Sequence, residues 1–198
     1  ELEGAPAVLQ LPTDRPRPPT QSFRGARLPF ALPGGLVERL RTLARGEEAT
    51  LFMTLLAAWQ LLLARWSGQD DLVVGSPVAN RHRAETEGLV GFFVNTLVFR
   101  GRLEGDPPFR ELLRRTRRST LGAYAHQDAP LEAILDALRV ERDPARNPLF
   151  QTALVLQNAP AHRLDMRGVE LAFVEQESDT GKSDLLLEAY EYPDGVAG

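Results

Sequence analysis

Three histidines, His82, His126 and His162, are the first places to look for acid–base chemistry in this chain. None lies in an HExxH pair or at another two-histidine helical spacing, which argues against a metal centre. His126-Gln127-Asp128 sets an imidazole near a carboxylate. Sequence neighbours rarely point at one another, and Asp128 ahead of Pro130 reads better as a turn or helix-capping residue. There is no GxSxG elbow, no GxGxxG and no GxxxxGK[ST], so nucleophilic-serine, dinucleotide and P-loop chemistry have no support. Cysteine is absent, which excludes disulfides, thiolate metal ligands and cysteine nucleophiles. What remains is a set of polar groups in apolar surroundings. Asn95 and Thr96 interrupt the run from Val90 to Phe99, Gln157 and Asn158 follow another apolar run, and Ser183 precedes Asp184-Leu-Leu-Leu. A buried unpaired amide costs about 1–3 kcal/mol, so Asn95 needs a partner.

Those groups require elements to hold them. Ser22 to Leu32 alternates loosely and predicts one strand or two short ones. Gly34-Gly35 opens a helical pattern, Leu36, Val37, Leu40 and Leu43, that runs to Gly46. Ala49 to Trp66 is apolar nearly all round and predicts a buried helix closed by Gly68. Its uncharged part, Ala49 to Ala64, is too short for a membrane span. Asp71 to Pro77 predicts a buried strand, and Gly91 to Arg102 a second. Pro107-Pro108 starts a helix to about Tyr124, and Pro130 another to about Arg139. Leu149 to Leu156, Val169 to Val174 and Leu185 to Tyr190 predict three further strands, and Pro193 to Gly198 a terminal loop. The order implies a mixed α/β (α+β) sheet with helices on one face.

Composition narrows the function classes. Of 198 residues, 43% are hydrophobic and 25% charged, an ordinary globular mixture. Basic residues number 23 against 27 acidic, a net charge of −4, and the sequence from Arg163 onward is acidic. Neither fits a nucleic-acid coat, so the row Arg110, Arg114, Arg117 and Arg118 is no DNA-binding face. The same row could meet an acidic protein partner or be a solvated helix face. Leu11 to Pro19 holds four prolines and reads as a stiff connector. Glu1 to Gly4 does not look like a leader, and a cytoplasmic location with no membrane association is expected.

Three segments carry a family resemblance. Val90-Gly-Phe-Phe-Val-Asn-Thr-Leu-Val-Phe-Arg100 resembles the VGxFVNTxxxR motif of nonribosomal peptide synthetase condensation domains. His126-Gln-Asp-Ala-Pro-Leu-Glu132 resembles HQDxPFE, with Leu131 in place of Phe. Arg142-Asp-Pro-Ala-Arg-Asn-Pro-Leu149 resembles RDxSRNPL, with Ala145 in place of Ser. The resemblance covers nearly the whole chain. It implies the C-terminal one of two chloramphenicol-acetyltransferase-like lobes that enclose a tunnel. Residues 1–20 are then the inter-lobe linker and residues 21–198 the lobe, incomplete at its C-terminus. The family's HHxxxDG motif, with the catalytic histidine, is not in this sequence, so no catalytic residue is expected here.

By the same resemblance, the activity is amide-bond formation between an acyl or peptidyl thioester and an aminoacyl thioester, the lobe being inactive alone. Both substrates hang on phosphopantetheine arms of carrier proteins; no cofactor is bound directly, and no metal is expected. The partners implied are the N-terminal lobe, an upstream and a downstream carrier protein and an adjacent adenylation domain, with no nucleic acid. Asn95, Thr96, Gln157, Asn158 and Ser183 become candidate tunnel residues. Arg81, in Asn80-Arg81 after the Gly75-Ser-Pro strand, becomes the candidate partner of the HHxxxDG aspartate, an inter-lobe pair ordering the catalytic loop. His126, Gln127, Asp128, Arg142, Asp143 and Arg146 read as structural members of their motifs. The competing reading is a non-catalytic module of the same fold that docks a carrier protein.

Overall fold

Local sequence signals set most of the helices. Thr50 caps α2 (Leu51–Ser67), its Oγ1 accepting from the Met53 amide at 3.2 Å. Gly68 closes the helix at φ 71, a left-handed geometry that suits glycine. α1 (Gly34–Gly46) precedes it. Pro108 and Pro130 stand just ahead of α4 (Phe109–Ala125) and α5 (Leu131–Leu138), where a missing N–H costs nothing. A single turn, α3, covers Ala84–Glu87. The computed structural model describes residues 1–81, 84–157 and 179–198. The expected strand at Val169–Val174 and residues His82, Asn158 and His162 lie outside that set.

Six strands make one mixed sheet among the described residues: β1 (Ala31–Pro33), β2 (Asp71–Val78), β3 (Asn95–Arg102), β4 (Thr152–Gln157), β5 (Leu185–Tyr192) and β6 (Gly195–Ala197). Their order is β1-β6-β5-β4-β2-β3. β2, β4 and β5 run parallel; β3 pairs antiparallel to β2, and β6 antiparallel to both β5 and β1. β6 corrects the expectation of a terminal loop. Pro193-Asp194 turns the chain, and Val196 is buried in a small cluster with Val37 and Ala189. β3 begins at Asn95 rather than Gly91 because β2 ends at its partner, Val78. Phe92 and Val94 alternate like a strand, but no ladder continues beside them.

The two faces of the sheet differ. Leu72 and Val74 of β2, Leu97 and Phe99 of β3 and Leu154 of β4 bury against Met53, Leu56 and Leu63 of α2 and Leu112 and Leu113 of α4. The three long helices all lie on this face, as the element order implies. Val73 and Val98, one residue out of phase, point the other way with Leu149. There they meet Leu131, Ile134, Leu135 and Leu138 of α5, together with Leu2 and Ala5. The α4–α5 connection therefore wraps round the edge strand β3. No single helix among the described residues is long and apolar enough to cross a membrane.

Strand direction gives the sheet two ends. The carboxyl ends of β2, β4 and β5 point one way, beside the start of β3. Their amino ends point the other way, beside the end of β3.

Candidate functional site

The carboxyl end gathers most of the candidate residues. Arg81 follows β2, Asn95 and Thr96 open β3, and Gln157 ends β4. Asn95 has the partner its surroundings demand. Its Nδ2 donates to the Gln127 and Ala129 carbonyls at 2.7 and 2.8 Å, and its Oδ1 accepts from the Thr96 amide at 2.9 Å. One side chain thus ties the VGFFVNT segment to the HQDAPLE turn where that turn rounds the sheet edge. His126 terminates α4, its exposed ring Nδ1 lying 2.9 Å from the Gly122 carbonyl. That geometry is a helix-end contact rather than a dyad with Asp128.

Arg81 is engaged within its own chain. Its guanidinium donates to the carbonyls of Thr86, Leu89 (2.8 Å) and Gly91 (3.1 Å) and sits 4.3 Å from the Phe93 ring centroid. The expectation of a free guanidinium in this chain is not met, because the loop ahead of β3 curls round it and supplies carbonyls. Beside this staple stand Leu89, Val90, Phe92 and Val94, all exposed, Phe92 by 89%. Sequence reading missed their exposure, since alternation is the same in a paired strand and in an unpaired extended segment. Thr96 is half-buried and Gln157 exposed at the same end.

Ser183 lies elsewhere. Leu185 is in register with Thr152, the first residue of β4, whereas Gln157 pairs with Tyr190. Ser183 is thus at the amino end, roughly the 17–20 Å length of a strand away. The RDPARNPL loop is there too. Asp143 accepts from the Ala145 amide at 2.8 Å and from Arg146, and these contacts hold its carboxyl below the usual aspartate range, the amide contributing most. Asn147 donates to the Lys182 carbonyl. Arg142 is exposed. The arginine row on α4 is already matched by acids. Glu47 accepts from Arg110 and Arg114 at 2.7 Å each, Glu48 pairs with Arg117, and Glu111 lies beside Arg114, Arg115 and Arg118. Arg110 first, then Arg114, depress the Glu47 pKa.

Residues 1–196 match the family model of the condensation domain. The chain is 51% identical over 198 residues to one of the linear gramicidin synthases of Brevibacillus parabrevis, covering 99% of this chain and 3% of that protein. It is 44% identical over 197 residues to malpinin synthetase of Mortierella alpina, covering 100% of this chain and 2% of that protein. Among solved structures, the X-domain from teicoplanin biosynthesis matches with a TM-score of 0.91 at 26% identity, over 100% of this chain and 46% of that one. Holo-AB3403, a four-domain nonribosomal peptide synthetase bound to AMP and glycine, matches with a TM-score of 0.87 at 26% identity, over 98% and 16%. The chain therefore spans only a few per cent of the curated relatives' length. The sheet and its motif turns are those of a larger architecture, and the chain belongs to the condensation domain family.

Proposed function

We propose that this chain is one lobe of a domain that joins an acyl or peptidyl thioester to the amine of an aminoacyl thioester. In that reaction the amine nitrogen attacks the thioester carbonyl carbon. The C–N bond forms, the C–S bond breaks, and the amine proton ends on the departing pantetheine sulfur. Such chemistry needs two reactants held in line and one proton and one oxyanion managed. The carboxyl end of the sheet supplies the positioning, and the companion lobe supplies the catalytic histidine. The observation that carries this reading is the gathering of Arg81, Asn95, Thr96, Gln157 and the HQDAPLE turn at that one end. Carboxyl ends of parallel strands are where open α/β sheets bind ligands.

Within that frame, Thr96 and Gln157 face the substrate arms, with Asn158 following, while Asn95 acts through the turn it holds. Arg81 supports the companion lobe by shaping the loop beside it. Ser183, at the far end, is the weakest tunnel candidate. The partners are the N-terminal lobe, upstream and downstream carrier proteins bearing phosphopantetheine, and an adenylation domain. The carrier-docking module without chemistry rests on the α4 arginines, and Glu47, Glu48 and Glu111 already occupy that row.

The test is condensation between two loaded carrier proteins by the complete domain. Gln157→Ala combined with Thr96→Val is expected to lower turnover at least tenfold with the thermal midpoint kept within a few degrees. Wild-type turnover by the double variant removes the tunnel assignment. Turnover above background by the isolated chain removes the claim that catalysis needs the companion lobe.

A further inference from the structure

Arg100 closes the VGFFVNTLVFR motif, yet it lies at the amino end of the sheet, away from the candidate site. Its side chain is 6% exposed. A guanidinium has five N–H donors in a rigid plane, and here all five have acceptors. Nε and NH2 grip the two oxygens of Asp71 at 2.8 and 2.6 Å. NH1 donates to the carbonyls of Glu1 and Glu3 at 2.9 and 2.8 Å, and NH2 also to that of Gly4 at 3.2 Å. The hydrogen bonds to Asp71 are the main reason the Arg100 pKa is raised, so the fork stays charged.

The clamp is the first of a series. Gln69 accepts from the Gln10 amide and donates to the Val8 carbonyl, at 2.6 and 3.2 Å. Gln151, 3% exposed, accepts from the Leu9 amide and donates to the carbonyls of Ala7 and Asn147. Arg17 makes a two-pronged pair with Asp184 and donates to the Ala145 carbonyl. Leu9 is buried in the main core, and Leu2 and Ala5 against Val73 and Val98. The proline-rich segment is thus a strap laid along the lobe and bound at four places, not a tether of free length.

We propose that Arg100 is a positioning residue for condensation. With Asp71 it fixes where, and in which direction, polypeptide preceding this segment reaches the sheet. This rests on the condensation reading above. Motion of a preceding lobe is then a rotation about a fixed point on the sheet, and a bend within Leu11–Pro19 does not supply it. Lysine cannot replace the fork, because one ammonium cannot serve a carboxylate and three carbonyls spread in a plane.

The experiment compares Arg100→Lys and Arg100→Met in the complete condensation domain. Amide hydrogen exchange in residues 1–10 is expected to rise at least tenfold in both, with α2 protection unchanged. The kcat for condensation should fall at least tenfold while the KM for either loaded carrier stays within twofold. If Arg100→Met fails to fold, Arg100→Lys alone decides, since it keeps the charge and most of the volume. Wild-type protection of residues 1–10 in Arg100→Lys overturns the clamp. A released strap with wild-type kcat overturns the positioning role. A wild-type domain that makes no amide removes the condensation reading, and the exchange arm still decides the clamp.

Discussion

The two ends of the sheet are finished in opposite ways. At the amino end nearly every polar group is spent on the chain itself: Arg100 on Asp71 and three carbonyls, Gln151 on the strap, Arg17 on Asp184. At the carboxyl end Asn95 and Arg81 hold two turns in place, and beyond them Leu89, Val90, Phe92 and Val94 stand in solvent. A loop that is braced from behind yet apolar in front is built for contact. The amino end carries the cost of shape, and the carboxyl end carries the candidate chemistry.

The largest break in this contrast is expected from Gln151→Ala. It leaves the Leu9 amide and the Ala7 and Asn147 carbonyls without their buried partner. The expected cost is about 3 kcal/mol, from a range of roughly 1–3 kcal/mol per orphaned group with partial access to water. Denaturant unfolding measures it, and a loss under about 1 kcal/mol would show that the amino end is not held by its polar groups.

How far the sequence revealed this division depends on what kind of partner each residue has. α2 was legible because an uncharged run at helical spacing has few alternatives, and α4 and α5 because proline marks their starts. The need of Asn95 for a partner was legible from its apolar neighbours; the identity of that partner, two carbonyls 32 and 34 residues away, was not. Arg100, Gln69 and Gln151 were invisible for the same reason. Their acceptors are backbone groups, which every residue has, so no residue type in the partner segment announces them. β6 was missed because three residues are too few for a period. Its place comes from the β5–β6 hairpin and the burial of Val196. The candidate site followed from motif resemblance more than from pattern, and Ser183 shows the limit: its neighbours in sequence do not reveal which end of the sheet it occupies.

A smaller, pH-driven effect separates the ends as well. Asp143 has its pKa lowered in the folded lobe. Its contribution is therefore complete above the ordinary aspartate value of about 3.9 and is lost as pH falls through the lower folded value. Thermal midpoints measured from pH 6 downward should decline more steeply in the wild type than in Asp143→Asn. Parallel curves for the two would remove Asp143 from the acid sensitivity of the RDPARNPL loop.

The smallest expected change sharpens the contrast from the other side. Phe92→Ser takes away a large ring that touches little of the lobe, so stability should move by no more than about 0.5 kcal/mol. A loss several times larger, read by the same denaturant unfolding, would mean that the exposed segment is part of the lobe's own core and that the carboxyl end is closed after all.

The pairing of β1 with β6 sets a timetable. Ala31 bonds into the sheet through Ala197, and β1 has β6 as its strand partner. On a ribosome adding about 5–20 residues per second, β1 emerges roughly 8–30 s before the strand that receives it. α1, α2, β2, β3 and α4 can assemble during that wait through contacts close in sequence, which form early. The sixth strand made is the one that seats the first, so a nascent lobe keeps one margin of its sheet unfinished until β6 leaves the exit tunnel. A chaperone that shields that margin would act on β1, three residues long and flanked by prolines at Pro29 and Pro33, a sequence poorly suited to pairing with strangers.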